Sequence, residues 1–130
     1  MTTPIEIAQK YIQAVQSGDQ AALGALLAPD IVWHQPGRNR FSGTHKSVQA
    51  VGTMIGKMME VSKGTFAITR AHRFMGNGAW VTVELEFKGQ RDGLLLSQQG
   101  IDLLRVEEGK IVEARLFSSD PEQEDAFWGR

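Results

Sequence analysis

The sequence predicts an α+β fold in which helices pack on one face of a curved antiparallel sheet. Up to Gly64, apolar residues recur mostly at the spacing of three and four that is typical of amphipathic helices, with one short strand between them. After Gly64 the pattern changes to four long runs rich in β-branched and aromatic residues, separated by short turns. We expect a single domain over residues 1–130 whose sheet and helical layer enclose a cone-shaped pocket open at one end.

The helices are predicted from apolar spacing and from the residues at their ends. Residues 4–17 form the first, because Ile5, Ala8, Ile12 and Val15 share one face. The next three are predicted at 20–28 with Asp19 as N-cap, at 45–60 with Ser42 or Thr44 as N-cap, and from Asp120-Pro121-Glu122 onward.

The strands are predicted as one short strand followed by a four-stranded antiparallel meander. Gly76-Asn77-Gly78 is a strong hairpin signal, and Glu107-Glu108-Gly109 and residues 91–93 provide the other two turns. The predicted strands span 31–35, 65–75, 79–88, 94–106 and 110–118.

Composition excludes several classes of function. Lys plus Arg number 14 and Asp plus Glu number 15, so the chain has no basic excess and we expect no nucleic-acid partner. No apolar run reaches the length of a membrane span, and the first residues do not read as a secretory signal. The sequence has no cysteine, and its three histidines lie far apart, so we expect neither a metal nor another cofactor. We therefore expect a cytoplasmic protein that binds a small molecule.

The stretch DIVWHQPG raises the main functional question, because a short apolar strand ends in His34 and Gln35 directly before Pro36-Gly37. Neighbouring side chains of a strand face opposite ways, so only one of the two enters a pocket unless the strand bulges. We expect Gln35 to point inward with Trp33, which gives the pocket an amide and no base. If His34 points inward instead, the pocket gains an imidazole that can act as a catalytic base near neutral pH.

Two polar residues lie on otherwise apolar elements. Tyr11 is the only tyrosine and falls on the apolar face of the first helix, where it is either a pocket residue or a core tyrosine bonded to a carbonyl. Asp102 lies in the run IDLL, where it is either buried or on the solvent side of the sheet. A buried carboxyl group prefers its neutral form, which can donate a hydrogen bond.

Two long segments resemble a known family. AQKYIQAVQSGDQAALGALLAPDIVWHQPGRNRFSGTH and IDLLRVEEGKIVEARLF resemble the nuclear-transport-factor-2-like superfamily, and within it the ketosteroid isomerase and SnoaL-like polyketide cyclase branch. The resemblance covers nearly the whole chain and implies a cystatin-like, nuclear-transport-factor-2-like fold. It leaves the activity open, because the superfamily includes isomerases, cyclases, dehydratases, epoxide hydrolases and proteins without catalysis.

The resemblance also implies roles for single residues. Tyr11 falls where the isomerases have an oxyanion-hole tyrosine, and Asp102 falls where they have the protonated aspartic acid of the same hole. Gln35 stands where the isomerases have their general-base aspartate, so we expect little isomerase activity on 3-oxo steroids. The ligand-binding candidates, from strand alternation and matching positions, are Trp33, Gln35, Gln98 and Ser118.

Three functional hypotheses follow. In the first, the protein is an enzyme of isomerase, cyclase or dehydratase type, and Tyr11 and Asp102 polarise the oxygen of an apolar carbonyl compound. In the second, it is a ligand-binding module of the same fold without catalysis. In the third, the cavity is incidental and the sheet face serves dimerisation. We expect a homodimer in any case, because one helical layer covers only one face of the sheet.

Overall fold

A computed structural model describes residues 2–130 and confirms the predicted α+β class. Within these residues four helices pack on one face of a curved, unclosed six-stranded sheet. The helices are α1 Pro4–Ser17, α2 Gln20–Leu26, α3 Val48–Val61 and α4 Pro121–Trp128. None of them is both long and apolar enough to cross a membrane.

The sheet has the strand order β2-β1-β6-β5-β4-β3. The predicted meander forms as expected, with β3 to β6 paired antiparallel in sequence order. One pairing differs from a purely antiparallel sheet, because β1 runs parallel to β6, from which it is separated in the chain by β2, α3 and the strands β3 to β5. The strands are β1 Leu27–Gln35, β2 Gly43–Lys46, β3 Ala67–Asn77, β4 Trp80–Arg91, β5 Leu94–Glu107 and β6 Lys110–Ser118.

The first strand is longer than predicted. The sequence placed the end of the second helix at residue 28 and the start of the strand at 31, but β1 already begins at Leu27. Pro29 and Asp30 are exposed and lie within a register shift between Leu27 and Val32. A proline at such an irregularity removes no ladder hydrogen bond, so it does not end the strand.

The segment before α3 is a strand, which corrects the predicted helix start at residue 45 and the predicted caps Ser42 and Thr44. His45 in β2 pairs with Trp33 of β1. Ser47 is the N-cap instead, and its hydroxyl accepts a 3.1 Å hydrogen bond from the backbone N–H of Ala50. The pairing of β2 with β1 delays the helix until the chain has left the sheet edge.

Other end signals are confirmed. Asp19 caps α2 by accepting a 3.0 Å hydrogen bond from Ala22 N–H, and Asp120 caps α4 in the same way through Gln123. Gly18 ends α1 with φ of 69°, the left-handed conformation that glycine adopts without strain. These short-range signals fix the end of α1 and the starts of α2 and α4.

The core lies between the helices and the inner face of the sheet. On β4, the apolar residues at alternate positions from Val81 to Phe87 are buried, whereas Thr82, Glu84 and Glu86 between them lie on the outer face and are half-buried. α1 packs mainly against β3, α3 against β1 and α4 against β5. This packing does not fill the space inside the curved sheet, and a cavity remains.

Candidate active site

The cavity has a volume of about 320 Å³ and lies between the helical layer and the inner face of the sheet. That volume is at the small end of the range for ligand pockets. The wall is mainly apolar, with a few polar groups that converge on the interior. Apolar lining residues include Leu23, Met54, Met58, Phe66, Phe87 and Leu116.

Tyr11 and Asp102 meet in this cavity. α1 supplies the tyrosine and β5 the aspartic acid, and both side chains are almost completely buried. The Tyr11 hydroxyl donates a 3.3 Å hydrogen bond to Oδ2 of Asp102. The two polar groups therefore lie close enough to contact one ligand oxygen.

Burial raises the pKa of Asp102 from its ordinary 3.8 to about 7. The hydrogen bond from Tyr11 opposes this rise in pKa, and the negative charge of Glu124 adds to it. Burial, and then the neighbouring Asp102 carboxylate, raise the pKa of Tyr11 well above 10. Near neutral pH the pair therefore contains a protonated tyrosine and a carboxyl group that is neutral in a large share of molecules.

Trp33 and Gln35 point inward from β1. The indole Nε1–H of Trp33 donates a 2.9 Å hydrogen bond to the side-chain carbonyl Oε1 of Gln35, and both residues are buried against the cavity. Because that oxygen is engaged, the amide nitrogen is the group of Gln35 that can donate a hydrogen bond to a ligand. The strand does not bulge at this point, so the amide and not the imidazole of His34 faces the interior.

His34 lies on the opposite face of the sheet, away from the cavity. Its Nε2 is 3.0 Å from Oε2 of Glu113, and its Nδ1 is 3.4 Å from the hydroxyl of Thr44. Burial raises the pKa of Glu113, but contacts with His34 and two arginines outweigh it and hold that pKa below 4.5. The predicted catalytic role of His34 does not fit this position, because strand alternation turns the ring outward.

Ser118 and Gln98 have different positions. Ser118 lines the cavity and donates a hydrogen bond to Glu124. Gln98 does not line the cavity. Its side-chain amide binds the backbone at the start of α4: it donates a 3.0 Å hydrogen bond to the carbonyl oxygen of Asp120 and accepts a 3.1 Å hydrogen bond from Asp120 N–H. The predicted ligand-binding role of Gln98 is therefore replaced by a role in holding α4.

Glu124 is a buried carboxyl group of the cavity that the sequence reasoning missed. It is 5% exposed and accepts hydrogen bonds from Ser118 Oγ and, at 3.2 Å, from the indole Nε1–H of Trp128. Burial raises its pKa above 4.5, although both hydrogen bonds act in the opposite direction. A signal was present in the spacing. Glu124 lies three and four residues before Phe127 and Trp128, so it shares their apolar helix face.

The acidic groups of the site do not form a metal centre. Within residues 2–130 no three His, Cys, Asp or Glu side chains cluster as metal ligands. Every fully buried side-chain nitrogen or oxygen of this part of the chain has a hydrogen-bond partner. The cavity is thus an apolar pocket with a small set of ordered polar groups.

Helices packed on a curved, unclosed sheet, with a buried tyrosine and aspartic acid in the cavity between them, define a protein of the nuclear-transport-factor-2-like fold class. Within that class the chain belongs to the SnoaL-like domain family, whose family model matches residues 8–114.

Similar proteins support this family at the level of the whole chain. A crystal structure of a protein of unknown function with a cystatin-like fold from Xanthomonas campestris is 60% identical, with a TM-score of 0.96 over 98% of this chain and 99% of that one. Bal32a, from a soil-derived mobile gene cassette, is 25% identical, with a TM-score of 0.91 over 96% and 95%. An uncharacterised protein of Mycobacterium tuberculosis is 25% identical over 95% of both chains.

Structures of lower identity share the fold. A candidate polyketide cyclase from X. campestris is 17% identical, with a TM-score of 0.78 over 97% of this chain and 96% of that one. An epoxide hydrolase of M. tuberculosis, described as LEH-like, is 19% identical, with a TM-score of 0.72 over 96% and 88%. Proteins that share this fold have thus been given the names of different enzymes.

Proposed function

We propose that this protein is an enzyme of isomerase, cyclase or dehydratase type that acts on a compact, largely apolar carbonyl compound. The buried pair of Tyr11 and Asp102 carries the proposal, because a hydroxyl group and a carboxyl group converge there in an apolar cavity. In the structure the hydroxyl donates to the carboxyl group, and in the proposed complex it donates to the ligand oxygen instead. The substrate oxygen binds between them.

The physical basis is stabilisation of negative charge on that oxygen. A neutral Asp102 and the Tyr11 hydroxyl both donate hydrogen bonds, and these strengthen as the carbonyl oxygen becomes an oxyanion. The apolar wall excludes water, so each interaction is stronger than it is at the surface. The amide of Gln35 supplies a further donor for a second polar group of the ligand.

The fold neighbours favour an enzyme over a purely structural module. Two of them carry the names polyketide cyclase and epoxide hydrolase, although neither name assigns a reaction to this chain. The site must therefore be tested by its own chemistry.

The second candidate is a binding module without catalysis. It is favoured by Gln35, an amide at the position where the resembled isomerases have a general base, and by the Trp33 hydrogen bond that holds it. Both candidates require a ligand oxygen on Tyr11 and Asp102, and they differ only in turnover.

Binding of 2-naphthol tests the shared requirement. This planar phenol imitates the enol of a fused cyclic ketone, and its fluorescence reports binding at pH 6, where Asp102 is mostly protonated. We expect Tyr11→Phe and Asp102→Leu each to weaken binding about fivefold, since one hydrogen bond contributes on the order of 1 kcal/mol. Asp30→Leu, which removes an exposed carboxyl group of β1, is the matched control and should bind like the wild type.

Two results would contradict the proposal. One is the absence of 2-naphthol binding by the wild type. The other is unchanged affinity in both Tyr11→Phe and Asp102→Leu, which would place the ligand oxygen elsewhere.

A further inference from the structure

We propose that Glu124 is the general base of this pocket, which makes the substrate an enolisable ketone. The inference rests on the proposed function, because it needs the substrate oxygen on Tyr11 and Asp102. Glu124 would then remove a proton from the carbon next to the carbonyl group and replace the base that Gln35 cannot provide.

The position of Glu124 is fixed by the anchoring of α4. The next residue, Asp125, accepts hydrogen bonds from Arg38 N–H at 2.8 Å and from the side-chain amide of Asn39 at 2.9 Å. At the end of the helix, Arg91 Nε donates to the carbonyl oxygen of Phe127 at 2.5 Å. Contacts at its middle and at its C-terminal end therefore fix the short helix α4. This fixes the inward-pointing side chain of Glu124 in one position before a ligand binds.

The sheet register brings Glu124 near Asp102. Asp102 pairs with Leu116 and Gly100 pairs with Ser118, so Asp102 and Ser118 are diagonal neighbours on the inner face of β5 and β6. Such neighbours lie roughly 7 Å apart. Since Ser118 donates directly to Glu124, the two carboxyl groups line neighbouring parts of the same cavity wall.

Different surroundings give the two carboxyl groups different protonation states. Glu124 has two donors, Ser118 and Trp128, which favour its ionised form, whereas Asp102 has only Tyr11. The negative charge of Glu124 also raises the pKa of Asp102, so an ionised Glu124 favours the neutral form of Asp102. Between these two ionisations the cavity contains one carboxylate and one carboxylic acid, which are a base and an acid.

The proton transfer balances without any further reactant. The Glu124 carboxylate takes the proton from the α-carbon, the C–H electron pair becomes a C=C bond, and the carbonyl π pair moves to the oxygen. Hydrogen bonds from Tyr11 and Asp102 stabilise the resulting enolate. When the proton on Glu124 is replaced by a solvent deuteron before reprotonation of the same carbon, the result is α-proton exchange. Transfer of the proton from Glu124 to a conjugated carbon gives an isomer.

Exchange of α-protons in 2-tetralone tests this step directly. In D₂O, NMR follows the loss of the α-proton signal with wild-type protein, and Glu124→Gln should slow this exchange at least a hundredfold, as expected for loss of a general base. Glu122→Gln, on the exposed side of the same helix, is the matched control and should exchange at the wild-type rate. Binding of 2-naphthol by Glu124→Gln should persist, because Tyr11 and Asp102 are intact.

The outcomes separate this inference from the proposed function. If 2-naphthol binds through Tyr11 and Asp102 but Glu124→Gln exchanges as fast as the wild type, Glu124 is not the base and the binding site stands. If the wild type binds 2-naphthol and shows no exchange, the inference is wrong and the protein is a binding module. If 2-naphthol does not bind, the proposed function itself fails.

A second variant covers the case in which Glu124→Gln does not fold. Ser118→Ala removes one donor to Glu124, so the pKa of that carboxyl group rises and the acidic limb of the exchange rate moves to higher pH. The charged and titratable groups that act on this limb are Asp102 on β5, Tyr11 on α1 and Asp125 on α4. An acidic limb at the wild-type position in Ser118→Ala would overturn the assignment.

Discussion

Burial determines the chemistry of the single residues in this pocket. Asp102 is a carboxyl group with one hydrogen-bond donor in an apolar wall, so it retains its proton to about pH 7. His34, one face away, contacts Glu113 at the surface of the sheet and takes no part in the cavity. Asp102 can therefore act in the cavity and His34 cannot, because their side chains point to opposite faces of the sheet.

The raised pKa of Asp102 predicts a pH-dependent stability. Between about pH 4 and pH 7 the folded protein retains this proton while the unfolded chain releases it, so the free energy of unfolding falls as pH rises and then levels off above the folded pKa. The shift from 3.8 to about 7 corresponds to up to about 4 kcal/mol. We expect Asp102→Asn to lack this decline, as measured by urea unfolding at pH 4 and pH 8.

The difference in the free energy of unfolding between the wild type and Asp102→Asn isolates the contribution of Asp102 from that of the other acidic residues. Wild type and Asp102→Asn should diverge as pH rises, with the variant relatively more stable at pH 8. Parallel pH profiles would mean that Asp102 ionises in the folded protein as it does in the unfolded chain.

The sequence could predict part of this site, for a physical reason. Tyr11 and Asp102 were recognisable because a polar residue inside an apolar pattern must be buried with a partner or face solvent. The prediction that Gln98 lines the cavity was wrong. Strand alternation predicts which face of the sheet a side chain lies on, but not whether the cavity extends to that point of the strand. Gln98 lies where β5 meets α4. Glu124 was missed because its helix is short and its apolar face consists of only a few residues at the end of the chain.

At the scale of elements, helix caps and hairpin pairings were predictable, whereas the pairings of β1 with β2 and β6 were not. Helix caps such as Asp19 and hairpin turns such as Gly76-Asn77-Gly78 depend on neighbouring residues, and the structure has them as expected. β2 depends on hydrogen bonds to β1, and the start of β1 at Leu27 depends on Ile111 of β6. The β1–β6 pairing joins segments far apart in the sequence, and the β1–β2 pairing spans the irregular loop 36–42, so a local pattern contains neither of them.

At the scale of the whole molecule, the outer face of the sheet remains uncovered by helices. Ile101 and Phe117 are direct partners across β5 and β6 on this face, 40% and 54% exposed. A second copy of the chain packed on this face would cover the pair. The homodimer therefore remains our prediction for this face.

Light scattering at micromolar concentration tests the homodimer. We expect the wild type to have twice the mass of one chain, and Ile101→Glu to have the mass of one chain, because a charge at an apolar interface is costly to bury. Gln9→Glu, which adds the same charge on exposed α1, should remain dimeric. A monomeric wild type would count against the prediction.

The central claim is that a ligand oxygen binds between Tyr11 and Asp102, and a crystal structure of the wild type with 2-naphthol at pH 6 tests it most directly. The account predicts the naphthol oxygen within hydrogen-bond distance of both the Tyr11 hydroxyl and the Asp102 carboxyl group, with the rings against the apolar wall. A naphthol oxygen directed instead toward Asp19 and Gln20, with Tyr11 and Asp102 bonded only to each other, would contradict it.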